Sequence, residues 1–285
     1  MPDGWGMKAA GILGLDGVTF LEPGFSDLTA DLYTSALLGI PAAEGRLLVD
    51  MAEDPLAMAV SDGKDWYATS FLFRKPPREV IGLCEELGCE LYQEERSLWL
   101  GAVREYYSLL LAGTTTPAME DLPPGRIENL GSLLEEAWGR GKDVACLDCC
   151  CGSGAGSAAA RALGMRPLSY DNDPALLSLG LSTGRLLPAE TMWIDATLAS
   201  QYLEPVPRGI AVMVGEINTF TEGAWEAITT EFLALAGEAL VTVGTEPEAR
   251  KVEGWCRSAG RNAEVSENRR DAFYDRWICR SAGAR

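Results

Sequence analysis

Residues 147–156 read LDCCCGSGAG, in which three consecutive cysteines stand between an aspartate and a glycine-rich turn. The apolar run that leads into it, DVACLDCC, predicts a buried strand, and GSGAGSAAARALG predicts a tight turn followed by a helix. Small residues at positions 150, 152 and 154 let the backbone approach a ligand, and the helix N-terminus points towards it. A purely structural turn is the alternative interpretation.

Predicted strands and helices alternate from residue 126 to the C-terminus. After the first strand, further strands are predicted at 165–171, 191–195, 209–216, 239–245, 262–268 and 276–282. Helices are predicted at 127–141, 152–164, 174–186, 223–237 and 247–260. This alternation indicates βαβ units and a mostly parallel sheet. Right-handed crossovers then bring the strand C-termini, and any ligand, to one edge of the sheet.

Acidic residues end three successive predicted strands. Asp148 ends the first, and Asp171 ends the second, where an acid can grip a ribose diol. Asp195 ends the third, where it can take an adenine amino group, whereas Asp173 is better interpreted as a helix N-cap. One such acid can simply be a cap or a solvated side chain. Three of them beside a glycine turn favour a nucleoside-type cofactor.

On these residues the segment resembles the class I S-adenosylmethionine-dependent methyltransferases. LDCCCGSG matches the first family motif in its D-x-C-C-G-S-G form, Asp171 falls on the ribose-binding acid, and IDAT (194–197) is similar to the adenine-contacting motif. The resemblance covers roughly residues 126–285. It implies an α/β fold: a Rossmann-like seven-stranded, mostly parallel sheet with one antiparallel strand, the last two strands forming a hairpin.

The resemblance also implies the cofactor, S-adenosyl-L-methionine (SAM), and the product, S-adenosyl-L-homocysteine (SAH). The implied cofactor-binding residues are Asp148, Cys150, Cys151, Gly152, Ser153, Gly154, Asp171, Asn172, Asp195, Ala196 and Glu216. A dehydrogenase is the rival interpretation. It requires G-x-G-x-x-G directly after the strand, and the glycines here have a different spacing.

The fourth strand is where this family usually shows its substrate, and here it ends in GEINTF (215–220). The [DN]-P-P-[YFW] motif of enzymes that methylate base amines is missing. We expect Glu216 to be the catalytic base or a substrate-orienting group, with Asn218 beside it. The alternative is that Glu216 only orders the loop through Asn218 or Thr219. Most of the catalysis expected of an in-line displacement is positioning of the two reactants.

Composition narrows the acceptor and the chemistry. The net charge is −18, from 24 Lys and Arg against 42 Asp and Glu, and a nucleic-acid binder usually shows a basic footprint instead. D-x-C-C-G-S-G is itself common among RNA and DNA methyltransferases, but GEINTF and the charge favour a different acceptor. Because the chain has no histidine, Ser-His-Asp and Cys-His catalysis are excluded.

The eight cysteines are expected to be mostly free thiols in a cytoplasmic protein. No spacing of a structural metal site is present, so no metal is expected. Consecutive side chains on an extended strand point to opposite faces, so Cys149, Cys150 and Cys151 are not expected to converge on one metal. The sequence contains no apolar run of about 18 residues, so no membrane span is expected. The N-terminus lacks the basic region expected of a signal peptide.

The N-terminal part follows a different pattern. Residues 1–112 are predicted to form a smaller α+β region, with helices at 26–39, 76–88 and 94–113 and a strand at 64–73. Residues 113–125 are a predicted linker, since Pro123-Pro124-Gly125 breaks regular structure, and 126–285 form the methyltransferase domain. We expect the N-terminal region to recognise substrate. Its aromatic residues are either a lid or core: Trp66, Trp99, Tyr106 and Tyr107.

The leading hypothesis is methyl transfer to a small-molecule biosynthetic intermediate. The alternatives are a protein side-chain methyltransferase, an RNA methyltransferase, or a silent SAM-binding interaction subunit. Expected partners are therefore a small molecule or a protein, with neither nucleic acid nor membrane.

Overall fold

The computed structural model describes residues 7–120 and 122–283. The chain divides into two compact units, the first ending at Gly113 and the second beginning at Thr114. None of the helices within these described residues has the length and hydrophobicity that crossing a membrane requires.

The first unit contains a five-stranded sheet in the order β1-β4-β3-β2-β5. Strands β2, β3 and β4 form an antiparallel meander, and the outer strands β1 and β5 lie parallel to their neighbours. Its elements are α1 (Met7–Ile12), β1 (Thr19–Phe20), a 3-10 helix (Phe25–Thr29), α2 (Leu32–Leu38), β2 (Glu44–Val49), β3 (Pro55–Ser61), β4 (Trp66–Ser70), α3 (Arg78–Leu87), β5 (Glu90–Gln93) and α4 (Arg96–Thr114).

The helix predicted at 26–39 is wrong as a single element. Ala30 takes an extended conformation (φ −90°, ψ 120°), which ends the 3-10 helix before α2 begins. The strand predicted at 64–73 is shorter than expected, as β4 covers only Trp66–Ser70. The sequence pattern does not predict β1, β2, β3 or β5.

The aromatic residues of α4 belong to the core of the first unit. Trp99, Tyr106 and Tyr107 are buried, and Phe20 packs against all three at ring-centroid distances of 4.7–6.0 Å. These three side chains therefore form core rather than a lid. Trp66 is half-buried, with the Arg46 guanidinium 5.3 Å from its ring.

The second unit contains the seven-stranded sheet, in the order β11-β12-β10-β9-β6-β7-β8. All neighbouring strands are parallel except at β12, which is antiparallel to both β10 and β11. Its elements are α5 (Arg126–Trp138), β6 (Ala145–Cys149), α6 (Ala155–Ala162), β7 (Arg166–Asp171), α7 (Pro174–Ser182), β8 (Thr191–Trp193), β9 (Val206–Ala211), α8 (Glu222–Leu235), β10 (Ala236–Val243), α9 (Glu246–Ser258), β11 (Asn262–Glu267) and β12 (Trp277–Ala282), with 3-10 helices at Pro188–Glu190 and Ala196–Gln201. The predicted fold class is confirmed.

One core cluster joins α5 and α6 to the sheet. It includes Leu130, Leu133 and Leu134 of α5, Ala155, Ala159 and Ala160 of α6, and Cys146, Ile210 and Leu240 of the central strands. The small side chains of α6 let this helix lie close to the sheet, which fixes its N-terminus beside the end of β6.

The fourth strand of this sheet ends earlier than predicted. It was expected at 209–216, but β9 ends at Ala211. Met213 adopts a left-handed backbone (φ +54°), and its N–H donates to Thr242 Oγ1 at 2.7 Å instead of extending the strand. Glu216 consequently lies in a loop beyond the strand and not at its end.

Candidate functional site

A cavity of about 670 Å³ opens at the carboxyl edge of the seven-stranded sheet. It lies over the boundary between β6 and β9, where the strand order reverses direction. Ligands of open parallel sheets bind at such a reversal, and the volume lies within the usual range for small-molecule sites.

The turn after β6 forms the floor of this cavity. Cys150, Gly152 and Gly154 all have left-handed backbones, with φ of +52°, +52° and +86°. The Cys151 N–H donates to the Tyr170 carbonyl at 3.1 Å, which ties the turn to the neighbouring strand β7. The backbone therefore folds back tightly and presents residues 150–153 to the cavity.

Asp148 lies beneath the turn and is completely buried. Ser157 Oγ donates to its Oδ2 at 2.6 Å, and this hydroxyl also lies 2.6 Å from Ser169 Oγ. Oδ1 has no hydrogen-bond partner among the described residues. Burial raises the pKa of Asp148 to about 7. The side chain thus links the end of β6 to α6 through Ser157 and does not line the cavity.

Asp171, at the end of β7, does line the cavity. Its Oδ2 accepts from the Gly152 N–H and its Oδ1 from the Asp173 N–H, both at 2.8 Å. Burial raises the pKa of this carboxyl group. Because a carboxylate oxygen can accept more than one hydrogen bond, both oxygens retain capacity for a ligand. Asn172 follows it, is exposed and also lines the cavity.

Asp195 lies at the start of the 3-10 helix Ala196–Gln201, next to Ala196 on the cavity wall. Its Oδ1 accepts from both the N–H and the hydroxyl of Thr197, at 2.8 Å each. The carboxylate is therefore a helix cap as well as a polar group of the cavity.

The structure brings most of the predicted cofactor-binding residues together. Eight line the cavity: Cys150, Cys151, Gly152, Ser153, Asp171, Asn172, Asp195 and Ala196. The other three, Asp148, Gly154 and Glu216, do not line it.

Glu216 and Asn218 are not among the residues that line the cavity. Glu216 is exposed. Asn218 Oδ1 accepts from the N–H groups of Phe220 and Thr221, at 2.8 and 3.3 Å, so it orders the loop that leads into α8. The predicted catalytic roles of Glu216 and Asn218 stay predictions.

The three consecutive cysteines are arranged differently from the strand-based expectation. The left-handed turn at Cys150 places its Sγ 3.9 Å from Cys149 Sγ, so these two thiols share one side. The hydrogen bond from Cys149 raises the pKa of the Cys150 thiol, and burial raises that of Cys151. Protonated thiols are poor nucleophiles and poor metal ligands. Within the described residues, no His, Cys, Asp and Glu side chains form a group of three or more that could hold a metal ion.

Sequence analysis missed the polar network on the other side of the cavity. Arg126 lines the cavity, and its Nε donates to Asp275 Oδ2 at 2.9 Å. Thr242 Oγ1 donates to Asp275 Oδ1 at 2.6 Å and accepts from the Met213 N–H. This buried network joins α5, β10, the β11–β12 loop and the loop after β9. No local signal could have revealed it, since Arg126 and Asp275 are 149 positions apart.

No protein-family model and no curated protein sequence matches the chain. Several solved structures do. A proposed RNA methyltransferase from Pyrococcus horikoshii is 12% identical, with a TM-score of 0.46 and coverage of 62% of this chain and 97% of its own. Magnesium protoporphyrin IX methyltransferase from Synechocystis PCC 6803, solved with bound SAM, is 14% identical (TM-score 0.45; 65% and 97% covered). A precorrin 8w decarboxylase from Methanobacterium thermoautotrophicum is 14% identical (0.43; 59% and 94%). At these identities and scores the likeness carries no functional inference.

Proposed function

We propose that the protein is a SAM-dependent methyltransferase that acts on a small molecule. One observation carries the proposal: the glycine turn after β6 and the acids after β7 and β8 line the same cavity. Along the sheet they follow the order that the sequence resemblance implies: first the glycine turn, then the ribose-binding acid and then the adenine-contacting motif.

The turn fits this cofactor because Gly152 leaves space where a side chain would stand. A Cβ built on Gly152 meets only Leu176 Cδ1, at 3.9 Å, so it would project into the cavity and not into protein. At Gly152 the floor of the cavity is therefore bare backbone, against which a flexible amino-acid tail can lie closely.

Each lining group has a distinct binding role in this proposal. Residues 150–153 would hold the methionine part, Asp171 would accept hydrogen bonds from the ribose hydroxyls, and Asp195 and Ala196 would meet the adenine. When bound, the cofactor supplies an activated methyl group on a sulfonium centre. The chain contributes the position and orientation of both reactants, which is the main source of rate in a displacement of this kind.

Several properties support a small-molecule acceptor over the alternatives. The net charge of −18 disfavours an RNA phosphate backbone. A concave site of this volume fits a compact ligand better than it fits the surface of a protein substrate. A protein acceptor remains the second candidate, because an acidic surface suits basic protein segments.

All eight cysteines are free thiols. This agrees with the reducing cytoplasm that we propose as the location of the protein.

The binding of SAH tests the cofactor assignment. We expect a calorimetric binding signal and thermal stabilisation, amounting to about 2.7 kcal/mol when SAH is present at one hundred times its Kd. ATP and NAD, at equal concentration, are the controls for nucleoside binding in general. If SAH gives neither heat nor stabilisation, the proposal is wrong.

A transfer assay with methyl-labelled SAM in cell extract tests the acceptor class. We expect label in the small-molecule fraction. Label on protein would support the second candidate, and label removed by ribonuclease would support RNA. SAH binding without any transfer would indicate a silent subunit.

A further inference from the structure

The strand order divides the cavity into two halves of different chemistry. The predicted cofactor residues follow β6, β7 and β8, on one side of the sheet centre. The other half is supplied by the loop after β9, the start of α8, the first turn of α5 and the β11–β12 loop. Its principal lining residues are Arg126, Met213, Phe220, Trp225, Ile228 and Tyr274.

This second half is rich in aromatic surface that the protein itself does not cover. Phe220 is 95% exposed and Tyr274 is 40% exposed, although both line the cavity. Contiguous exposed apolar surface beside a cavity is typical of a ligand-binding groove. Trp225 and Ile228, on the same face of α8, continue this surface inwards.

The ring of Trp225 is held in place by the backbone opposite. A Cβ built on Gly215 would lie 3.0 Å from Trp225 Cζ2, so the ring packs directly against this glycine. The absence of a side chain at Gly215 therefore lets the indole lie against the loop after β9, where it forms a wall of the cavity.

Among the described residues that line this half of the cavity, none carries an unpaired charge. The one cation among its described lining residues is Arg126, which Asp275 neutralises through two hydrogen bonds at 2.9 and 3.4 Å. The same guanidinium lies 5.2 Å from the Tyr274 ring centroid and stabilises that ring at the rim. No carboxylate of the described lining belongs to this half, since Asp171 and Asp195 lie across the cavity.

We infer that the methyl acceptor is an uncharged, planar aromatic or heteroaromatic small molecule that lies against Phe220, Trp225 and Tyr274. Flat apolar rings match aromatic walls in shape and gain offset-stacked and edge-to-face contacts. A phosphorylated or carboxylated acceptor would find no unpaired cation here, and a lysine side chain would find no carboxylate. This inference rests on the proposed function, since it assigns the acceptor half of the same site.

The test uses neutral probes of different shape in the presence of saturating SAH. Quinoline-3-carboxamide and indole-3-carboxamide are flat, whereas cyclohexanecarboxamide and adamantane-1-carboxamide are saturated counterparts. Calorimetry on the full chain gives each Kd. We expect the flat probes to bind roughly tenfold more tightly than the saturated ones. Equal affinities, or no binding of the flat probes, would overturn the inference.

Two matched variants locate the binding surface. Phe220→Ala and Phe273→Ala both remove an exposed ring, and Phe273 is 79% exposed but does not line the cavity. We expect Phe220→Ala to weaken flat-probe binding roughly three- to tenfold and Phe273→Ala to change it less than about twofold.

SAH affinity measured on the same two variants separates the possible failures. It should be unchanged in both. If Phe220→Ala weakens SAH equally, the ring belongs to the cofactor half and the inference is wrong. If SAH does not bind the wild type, the proposed function itself fails.

Discussion

Replacing Gly152 by alanine should separate folding from cofactor binding. Gly152 has a φ of +52°, and a left-handed backbone costs an L-residue roughly 1–2 kcal/mol. For a unit of this size each kcal/mol lowers Tm by about 2–4 °C, so Gly152→Ala should lose roughly 2–8 °C. No further loss is expected, because the nearest atom to the new Cβ is Leu176 Cδ1 at 3.9 Å.

The effect on SAH should be larger than the effect on folding suggests. The added methyl group occupies the floor of the cavity, where forcing extra volume into a packed contact costs about 1–3 kcal/mol. This corresponds to a Kd raised by roughly five- to 150-fold. Calorimetry with SAH measures the Kd, and thermal unfolding followed by circular dichroism measures Tm.

Gly184→Ala is the matched control. Gly184 also has a left-handed backbone (φ +73°) and open space around its Cβ, but it does not line the cavity. Both variants should lose similar stability, and only Gly152→Ala should lose SAH affinity. Equal Kd values for the two variants would refute the assignment of the turn as the cofactor floor.

Four other substitutions test single groups. Asp148 keeps its proton to about pH 7 in the folded state but loses it near pH 3.8 when unfolded. The free energy of unfolding of the wild type should therefore fall relative to that of Asp148→Asn between pH 4 and 7, by on the order of 4 kcal/mol; parallel urea-denaturation profiles would contradict the burial argument. Asp275→Ala leaves Arg126 buried without its partner and should cost about 3–5 kcal/mol in urea denaturation, so a loss under about 1 kcal/mol would be inconsistent with the buried pair. Cys150→Gly relieves a left-handed backbone and removes a protonated thiol. We expect SAH affinity and turnover to stay within about twofold of wild type. Lost turnover at unchanged SAH affinity would give that thiol a chemical role. Glu216→Gln should leave SAH affinity unchanged. Because the side chain lies outside the cavity lining, kcat should fall by less than about tenfold. A loss of about 10²–10⁴-fold would instead support Glu216 as the catalytic base.

The fold of the second unit was predictable because its signals are local. Strand and helix periodicity, the breaker before Arg126 and the glycine turn each act over a few residues, and each agrees with the parallel sheet that they predict. The first unit was less predictable. Its strands are short and lie between turns, and their pairing depends on contacts that periodicity does not encode.

The candidate site likewise contains some residues that the sequence predicts and others that it does not. The turn at 150–154 and the acids Asp171 and Asp195 could be identified from spacing, because each stands where a strand ends. Arg126 and Tyr274 could not, since they reach the cavity only after chain segments far apart in sequence pack together.

The sequence alone predicted most of the residues that line the half of the cavity following β6, β7 and β8, because strand ends and glycine turns are set by neighbouring residues. Tertiary structure decided the rest. Burial raises the pKa of Asp148, the early end of β9 removes Glu216 from the cavity lining, and strand order places Phe220 and Trp225 opposite the predicted cofactor residues. Solvent exclusion and strand order are properties of the packed chain, so no local pattern contains them.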